Sequence, residues 1–345
     1  MFFASDNSGI IHPNIMQAMV DANAGYAMPY GNDDIMEGVR ASIREIFEAP
    51  DAAVYLVATG TAANVLALAC YTQPWQTIFC AQYSHIEEDE CNAPEFYAGG
   101  AKLTLIPTKN KMTPEGLAKA IAHRAGGSVH MAQSGAVSIT QATEFGSVHS
   151  LAEIRALTAV AKDTNLPVHL DGARFANAIV ALNCTAAEMT WKSGVDVVSF
   201  GGTKNGCAGV EAVVFFDPSK AEEFEYRRKR GAHLFSKHRY LSAQMAGYLK
   251  DGLWTDMARK ANANCARLTA GLRANGAKFL HEPDANMIFA SFPRAVHQKL
   301  QKAGAKYYVL DGDVTTGPAD EHLACRLVCD WAMTDDLIDQ FLNYF

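Results

Sequence analysis

Apolar runs that resemble β-strands alternate with helical patterns along most of this chain. The run at residues 52–60 is followed by a helical pattern that ends near Tyr71, and a later helical pattern at 151–164 is followed by apolar runs at 166–172 and 196–202. Strands that alternate with helices form βαβ units with right-handed crossovers. The pattern therefore predicts an α/β fold built on a mostly parallel, buried sheet.

This rhythm changes near residue 250. A long helical stretch is predicted from about Pro218 to Trp254, and after a further helix only short strand-like runs follow it. A chain of 345 residues is also too long for one compact core. We therefore predict a large domain at 1–250, which includes the N-terminal segment, and a smaller α+β domain at 251–345.

The charge balance argues against nucleic acid as a partner. The net charge is −7 and the pI is about 5.9, so no broad basic field is available to neutralise phosphates. The densest basic run, 227–230, follows three glutamates and is expected to form a solvated helix face.

The chain contains no stretch of 18 or more apolar residues, so no membrane span is predicted. The N-terminus lacks the pattern of a signal peptide. Eight cysteines are scattered without a CxxC pair, which favours a reducing cytoplasm. His322, Cys325 and Cys329 fall on a predicted strand whose alternation places the histidine on the face opposite the two cysteines. We therefore expect no metal site there.

Two of the apolar strands lead to a residue suited to catalysis. Asp171 ends the strand at 166–172, and Lys204 follows the strand at 196–202 among glycines. Taken singly, the aspartate could be a turn residue or a helix cap, and the lysine an ordinary loop lysine. One helix-and-strand unit separates them, so both are predicted at the ligand-binding edge of adjacent strands.

An acid and an amine at one sheet edge are what a pyridoxal phosphate site requires. The lysine forms a Schiff base with the cofactor aldehyde, and the acid holds the pyridine nitrogen protonated. Gly60 and Thr61, at a strand-to-helix junction, offer backbone N–H groups and a helix dipole to the phosphate, although a plain helix start would look the same.

A further segment combines an aromatic base with acids. His85 could stack on a planar cofactor, and Glu87, Glu88, Asp89 and Glu90 follow it closely. Most of this acidic cluster is expected to be solvated. One member could still lie over the cofactor and manage a water or a proton.

The motifs of this chain occur together, and in the same order, in one known family. They are FASDNSG at 3–9, GTAAN at 60–64, HIEEDE at 85–90, ITQATE at 139–144, DGAR at 171–174 and FGGTKNG at 200–206. From Phe3 to about Asp330 the chain resembles the bacterial low-specificity L-threonine aldolases. The resemblance implies a pyridoxal-phosphate-dependent, aspartate-aminotransferase-like fold with a mostly parallel seven-stranded sheet.

The resemblance also implies roles for individual residues at the cofactor. Lys204 would carry the Schiff base, and Asp171 would pair with the pyridine nitrogen. Gly60 and Thr61 would bind the phosphate, and His85 would stack on the ring.

The substrate carboxylate would be held by Ser5, Arg174 and Arg326, and Arg174 would also border the cofactor. A guanidinium suits this task because its planar fork meets a carboxylate bidentately. Strand alternation places Arg326 on the face opposite Cys325 and Leu327.

Four further residues take roles from the resemblance. His130 matches a family histidine near the substrate hydroxyl, and Glu87 matches a glutamate that positions a catalytic water. Lys237 occupies the place of a basic residue that reaches the phosphate of a neighbouring subunit, where many relatives have arginine. Gln141 could touch the ring oxygen of the cofactor.

By this resemblance the chain is an enzyme, a carbon–carbon lyase that cleaves L-threonine, L-allo-threonine and related β-hydroxy-α-amino acids, phenylserine among the candidates, to glycine and an aldehyde. It would form a homodimer or homotetramer with shared active sites. Two alternatives remain open: a β-eliminating lyase or aminotransferase on the same site, because one fold hosts many chemistries, and a non-catalytic cofactor-binding protein.

Overall fold

A computed structural model describes all 345 residues of the chain, and a seven-stranded sheet forms its centre. The strand order is β1-β7-β6-β5-β4-β2-β3. Strand β7 runs antiparallel to both of its neighbours, and the other pairs are parallel. The strands are β1 Ala53–Val57, β2 Gln76–Ala81, β3 Lys102–Ile106, β4 Gln133–Thr140, β5 Val168–Gly172, β6 Val197–Gly201 and β7 Glu211–Phe215. The predicted mostly parallel sheet of an α/β fold is confirmed.

A second, smaller sheet of four antiparallel strands lies in the C-terminal part of the chain. Its order is β10-β11-β9-β8. The strands are β8 Lys278–Phe279, β9 Met287–Pro293, β10 Tyr308–Val309 and β11 His322–Val328. One face of this sheet packs on helices to form a hydrophobic core separate from that of the large sheet.

Fourteen α-helices cover the two sheets. They are α1 Pro13–Asp21, α2 Asp34–Ile46, α3 Gly60–Tyr71, α4 His85–Glu88, α5 Ala93–Tyr97, α6 Pro114–Arg124, α7 Leu151–Lys162, α8 Phe175–Leu182, α9 Ala186–Met189, α10 Ala221–Arg230, α11 Arg239–Leu249, α12 Leu253–Ala274, α13 Arg294–Lys302 and α14 Asp335–Leu342. None of them is both long and apolar enough to cross a membrane.

Helix α3 follows β1 and packs across the sheet, and it contains a buried polar side chain. The side chain of Thr59 caps its first turn by accepting a hydrogen bond from the N–H of Ala62 at 3.1 Å. From Ala62 to Cys70 every residue of the helix is buried. The helix is therefore fixed on all sides, and its polar Asn64 lies inside the protein.

The long helix predicted from Pro218 to Trp254 is interrupted. A 3-10 turn at Pro218–Lys220 leads into α10, and the chain leaves helical geometry after Arg230 and again at Asp251, whose φ is +52°. Two separate helices, α10 and α11, replace the single predicted one, and α12 begins only at its end. Both α10 and α11 carry buried residues, so an apolar pattern is present on each side of the break.

The expected solvated face at 227–230 is also only partly solvated. Arg228 is buried, with its guanidinium 5.0 Å from the centre of the Tyr55 ring and one N–H donated to the Leu56 carbonyl at 3.3 Å. Arg228 can be buried because an aromatic ring and a strand-end carbonyl interact with its guanidinium. The periodicity of the sequence does not predict such partners.

The first residues of the chain pack against the C-terminal hydrophobic core. Phe3 is fully buried in the small-domain core beside Phe341, with ring centroids 4.7 Å apart. Its N–H donates to the Lys306 carbonyl, and its carbonyl accepts from the N–H of Val328. The N-terminal segment therefore crosses from the small domain to α1 of the large domain, and residues 5 and 6 lie on the crossing.

The structure contains no group of three or more histidine, cysteine, aspartate or glutamate side chains placed to hold a metal ion. Cys325 and Cys329 are buried in the small-domain core, whereas His322 is half-buried.

Candidate active site

Polar residues converge where β4, β5 and β6 end. Asp171 pairs in register with Thr140 of β4 on one side and with Ser199 of β6 on the other. Lys204 follows β6 directly, on a 3-10 turn at Thr203–Asn205. The predicted meeting of acid and amine at one sheet edge is present.

Glycines allow the backbone to close around this edge. A Cβ at Gly201 would overlap the carbonyl of Ala173, and a Cβ at Gly172 would come within 2.6 Å of the Ser199 carbonyl. Any larger residue at either position would push apart the two strand ends that carry Asp171 and Lys204.

Asp171 is held in a buried network. Its Oδ2 accepts from Asn64 Nδ2 at 3.0 Å, and its Oδ1 accepts from the N–H of Ala173 at 3.1 Å. The same Asn64 Nδ2 donates to Glu90 Oε1 at 2.9 Å. The asparagine on α3 therefore links two carboxylates and fixes the orientation of both.

Glu90 in turn binds His85. The Nδ1 of His85 lies 2.8 Å from Glu90 Oε1. Burial lowers the pKa of His85, but the hydrogen bond to Glu90 and the charge of Asp171 outweigh it and leave this pKa above its ordinary value. Burial raises the pKa of Glu90 above its ordinary value, although His85 and Asn64 oppose the rise.

The start of α3 lies at the same edge of the sheet. Val57, the last residue of β1, and Gly201, the last of β6, both pair with Glu211 of β7, so β1 and β6 end at the same level on either side of β7. A Cβ at Gly60 would meet no atom within 4 Å, so the space above this helix N-terminus is open. The helix dipole and free N–H groups suit an anion there.

Arg174 lies fully inside the protein and pairs with Asp6 from the N-terminal segment. Its Nε and Nη2 donate to the two carboxylate oxygens of Asp6 at 2.7 and 3.0 Å, and Asn286 Nδ2 donates to Asp6 Oδ2 at 3.1 Å. Burial raises the pKa of Asp6, but the charges of Arg174 and Lys204 outweigh it and hold this pKa below its ordinary value. The remaining N–H groups of Arg174 stay available for a second carboxylate.

Arg326 approaches the same segment from the small domain. Its Nη2 donates to the carbonyl of Ala4 at 3.2 Å, and its Nε is buried without a partner. Ser5 follows Ala4 and caps a short 3-10 turn through its hydroxyl. The predicted face of Arg326 is confirmed, because Cys325 and Leu327 lie in the small-domain core while Arg326 is only half-buried.

The structure does not bring Glu87 or His130 into this cluster. Glu87 is half-buried on α4, where burial and the charge of Glu95 raise its pKa, and Glu90 holds the place beside His85. His130 is exposed and precedes the first residue of β4, at the opposite edge of the sheet. Strand β4 spans about 23 Å at roughly 3.3 Å per residue, so His130 cannot reach the site of its own chain.

Gln141 is also engaged elsewhere. Its amide nitrogen donates to the His149 carbonyl and its amide oxygen accepts from the His149 N–H, both at 2.9 Å. The side chain therefore closes the 141–149 loop, with its amide nitrogen and its amide oxygen both engaged there. Lys237 is exposed on the turn before α11.

Three site residues were not assigned roles from the sequence, although each lies inside one of the family motifs. Asp6 stands in FASDNSG, Asn64 in GTAAN and Glu90 in HIEEDE. A sequence signal existed for Asn64 alone, because it is a polar residue among small and apolar ones. The conformation at and after the short helix α4 decides which acid of HIEEDE points inward. The sequence alone does not predict that conformation.

The residues at this edge fit pyridoxal phosphate. A lysine and a buried carboxylate stand at neighbouring strand ends, an aromatic base lies beside them, and an open helix N-terminus faces the same space. The acceptor atom Glu90 Oε2 is buried without a partner. Such orphaned atoms are typical of a site that is completed by a ligand.

Comparisons with known proteins agree with this geometry. The β-eliminating lyase family model matches residues 3–294. A low-specificity L-threonine aldolase from Pseudomonas sp. strain NCIMB 10558 is 40% identical over 332 residues, which cover 95% of this chain and 92% of that protein. A threonine aldolase from Leishmania major superposes with a TM-score of 0.92 at 26% identity, over 99% of this chain and 97% of that one.

A more distant structure shows the fold alone. A serine palmitoyltransferase variant from S. paucimobilis, solved with a bound pyridoxal phosphate–myriocin aldimine, has a TM-score of 0.69 at 15% identity. The match covers 100% of this chain and 86% of that one.

Proposed function

Because the chain belongs to the low-specificity L-threonine aldolases of the β-eliminating lyase family, we propose that it uses pyridoxal phosphate to cleave L-threonine and related β-hydroxy-α-amino acids to glycine and an aldehyde. The observation that carries the proposal is the meeting of Lys204 and Asp171 at neighbouring strand ends. Without that juxtaposition no residue set in the large domain would suit this cofactor.

Five residues would hold the cofactor. Lys204 would attach it covalently, and Asp171, fixed by Asn64, would face its ring nitrogen. His85 would cover the ring, and the N–H groups at Gly60 and Thr61 would receive the phosphate. When bound, pyridoxal phosphate supplies a ring that accepts the electron pair released as the Cα–Cβ bond breaks.

Two arginines from different domains would hold the substrate carboxylate. Arg174 presents its unoccupied N–H groups from the large domain, and Arg326 presents its unpartnered Nε from the small domain, with Ser5 between them. A carboxylate held at two points fixes the orientation of Cα, and orientation alone contributes several kcal/mol to a reaction barrier. The substrate would therefore bind across the domain boundary.

The pair formed by His85 and Glu90 would take the proton from the β-hydroxyl of the substrate. Glu90 Oε2 has no partner, and the pKa of each side chain lies above its ordinary value. This replaces Glu87 as the acid of the cluster. Within one chain, the His85–Glu90 pair also takes the role predicted for His130 near the substrate hydroxyl, because His130 lies at the other edge of the sheet.

Glutamine substitutions at the two acids separate these roles. Glu90→Gln is expected to lower kcat by about 10- to 100-fold, because the amide accepts no proton and the pKa of His85 falls without the neighbouring charge. Glu87→Gln, three residues earlier on α4, is the matched control and is expected to keep kcat within about twofold. Steady-state kinetics with L-threonine measure both variants. A larger loss of kcat in Glu87→Gln than in Glu90→Gln would assign the proton-transfer role to Glu87.

The products tell the proposed cleavage from its rivals. Purified protein supplied with pyridoxal phosphate and L-threonine is expected to release glycine and acetaldehyde in equal amounts. A β-eliminating lyase would instead form a keto acid and ammonia, and an aminotransferase would accumulate pyridoxamine phosphate when no second substrate is present. Neither outcome is compatible with the aldolase proposal, and unreacted threonine would favour a non-catalytic protein.

We further propose that two copies of the chain share their active sites, in a homodimer or in a homotetramer built from two dimers. Large apolar side chains are exposed on α1 and on the neighbouring loops, where Arg239 donates to the Gly25 carbonyl; they are Met16, Val20, Tyr26, Met28 and Phe235. Lys237 is exposed on the same loop and could reach a phosphate in a second copy. Sedimentation as a monomer at micromolar concentration would contradict this.

The compartment is proposed on the cysteines. All eight are unpaired, and six of them lie in hydrophobic cores as reduced thiols. The distribution supports a reducing environment such as the cytoplasm. Fractionation of the natural host, with the protein found in the soluble cytoplasmic fraction, is the expected result.

A further inference from the structure

Glu211 is a buried carboxyl that the proposed cleavage does not use. It is the first residue of β7, where it pairs with Val57 of β1 and with Gly201 of β6. Only 6% of its surface is exposed. It therefore lies between the strand that leads to the phosphate-binding helix and the strand that leads to Lys204.

The carboxyl binds the turn that carries the lysine. Glu211 Oε2 accepts from the N–H of Gly202 at 2.8 Å. The hydroxyl of Thr203 accepts from the N–H of Val210, the residue before Glu211, at 3.1 Å. Both residues that precede Lys204 are thus tied to the start of β7, and the direction in which the lysine leaves the sheet is fixed.

The charged and titratable groups around Glu211 come from three elements. Lys204 and Cys207 lie on the turn after β6, Asp171 lies on β5, and Tyr248 lies on α11. Lys204 is the only cation among them. Burial raises the pKa of Glu211 to about 7, opposed by Thr203, Gly202 and Lys204 and assisted by Asp171.

Resting on the proposed function, we propose that Glu211 is a positioning residue for Lys204: it clamps the lysine-bearing turn to β7, and its negative charge favours the protonated form of the lysine nitrogen. A carboxylate near a nitrogen base stabilises the charged form of that base, and a low-dielectric interior strengthens the effect. Above neutral pH the carboxyl is ionised, so its negative charge is present there.

The test is a pH titration of the visible absorption of the cofactor-loaded protein, with and without Glu211→Gln. Glutamine keeps an oxygen to accept from Gly202 but removes the charge. The pH midpoint of the visible band is expected to fall by about 1 unit in the variant. Glu45→Gln, an exposed glutamate on α2, is the matched control and is expected to leave the midpoint unchanged.

A visible band whose midpoint does not move in Glu211→Gln would overturn this inference and leave the proposed function intact. Absence of any visible band from the unaltered protein after pyridoxal phosphate is added would instead overturn the proposed function. If the glutamine variant does not fold, Glu211→Met removes the same charge with an apolar side chain of similar volume, which buried sites often tolerate. The same fall in midpoint is then expected.

Discussion

Lys204→Ala is expected to abolish turnover of L-threonine, with kcat lower by at least about 10³-fold. Removal of a covalent nucleophile deletes a reaction step rather than weakening one contact, and such losses are the largest that single substitutions produce. The variant should also lose the visible absorption of the lysine-bound cofactor. Steady-state kinetics and an absorbance spectrum of the same preparation measure both effects.

The matched control for this experiment is Lys278→Ala, an exposed lysine on β8 of the small domain. It should retain normal kinetics and a normal spectrum. A Lys204→Ala protein that still turned over threonine at more than a few per cent of the normal rate would refute the mechanism, because no other lysine directly follows a strand that neighbours Asp171.

Asp171→Asn has the second largest expected effect, a fall in kcat of about 10²- to 10³-fold, which corresponds to roughly 3–4 kcal/mol of barrier. An amide carries no charge to keep the ring nitrogen protonated, so the electron pair from the breaking bond is stabilised less. In the unaltered protein, the Asn64 amide and the N–H of Ala173 donate to the two carboxylate oxygens of Asp171. In the variant, the new NH₂ group would face one of these two donors. Lys204 remains, so cofactor attachment should persist.

Kinetics and spectroscopy together distinguish this outcome from misfolding. The visible band should still appear in Asp171→Asn while turnover collapses, and Asp163→Asn, at the exposed end of α7, should change neither. If Asp171→Asn kept kcat within a few-fold of normal, the carboxylate would be a structural residue of β5 and its assignment to the cofactor would be wrong.

The periodicity of the chain was sufficient to predict the strands and most helices of the large domain. It could not show that β7 is antiparallel, because a fully buried strand is apolar on both faces whichever way it runs. It also could not place Phe3, whose partners in the small domain are more than 300 residues away in sequence. Contacts at that separation leave no local pattern.

In the site, too, residues at strand ends were predictable from the sequence, whereas residues placed by the folded geometry were not. Lys204 and Asp171 were predictable because each follows a strand, and strand ends meet at a common edge. His130 and Gln141 were assigned by resemblance alone. The geometry places the first at the far edge of the sheet and occupies the second with the backbone of His149. The choice of Glu90 over Glu87 depends on how the chain bends after the four-residue helix α4, which ends at Glu88.

Reduction of the cofactor-loaded protein with borohydride, followed by digestion and peptide mass mapping, tests the central claim most directly. Reduction converts a lysine-bound cofactor into a stable adduct, so its position can be read from peptide masses. We expect the added mass of one pyridoxyl phosphate on the peptide that contains Lys204, and on no other. The adduct on a different lysine, or on none, would contradict the assignment of Lys204 as the residue that attaches the cofactor.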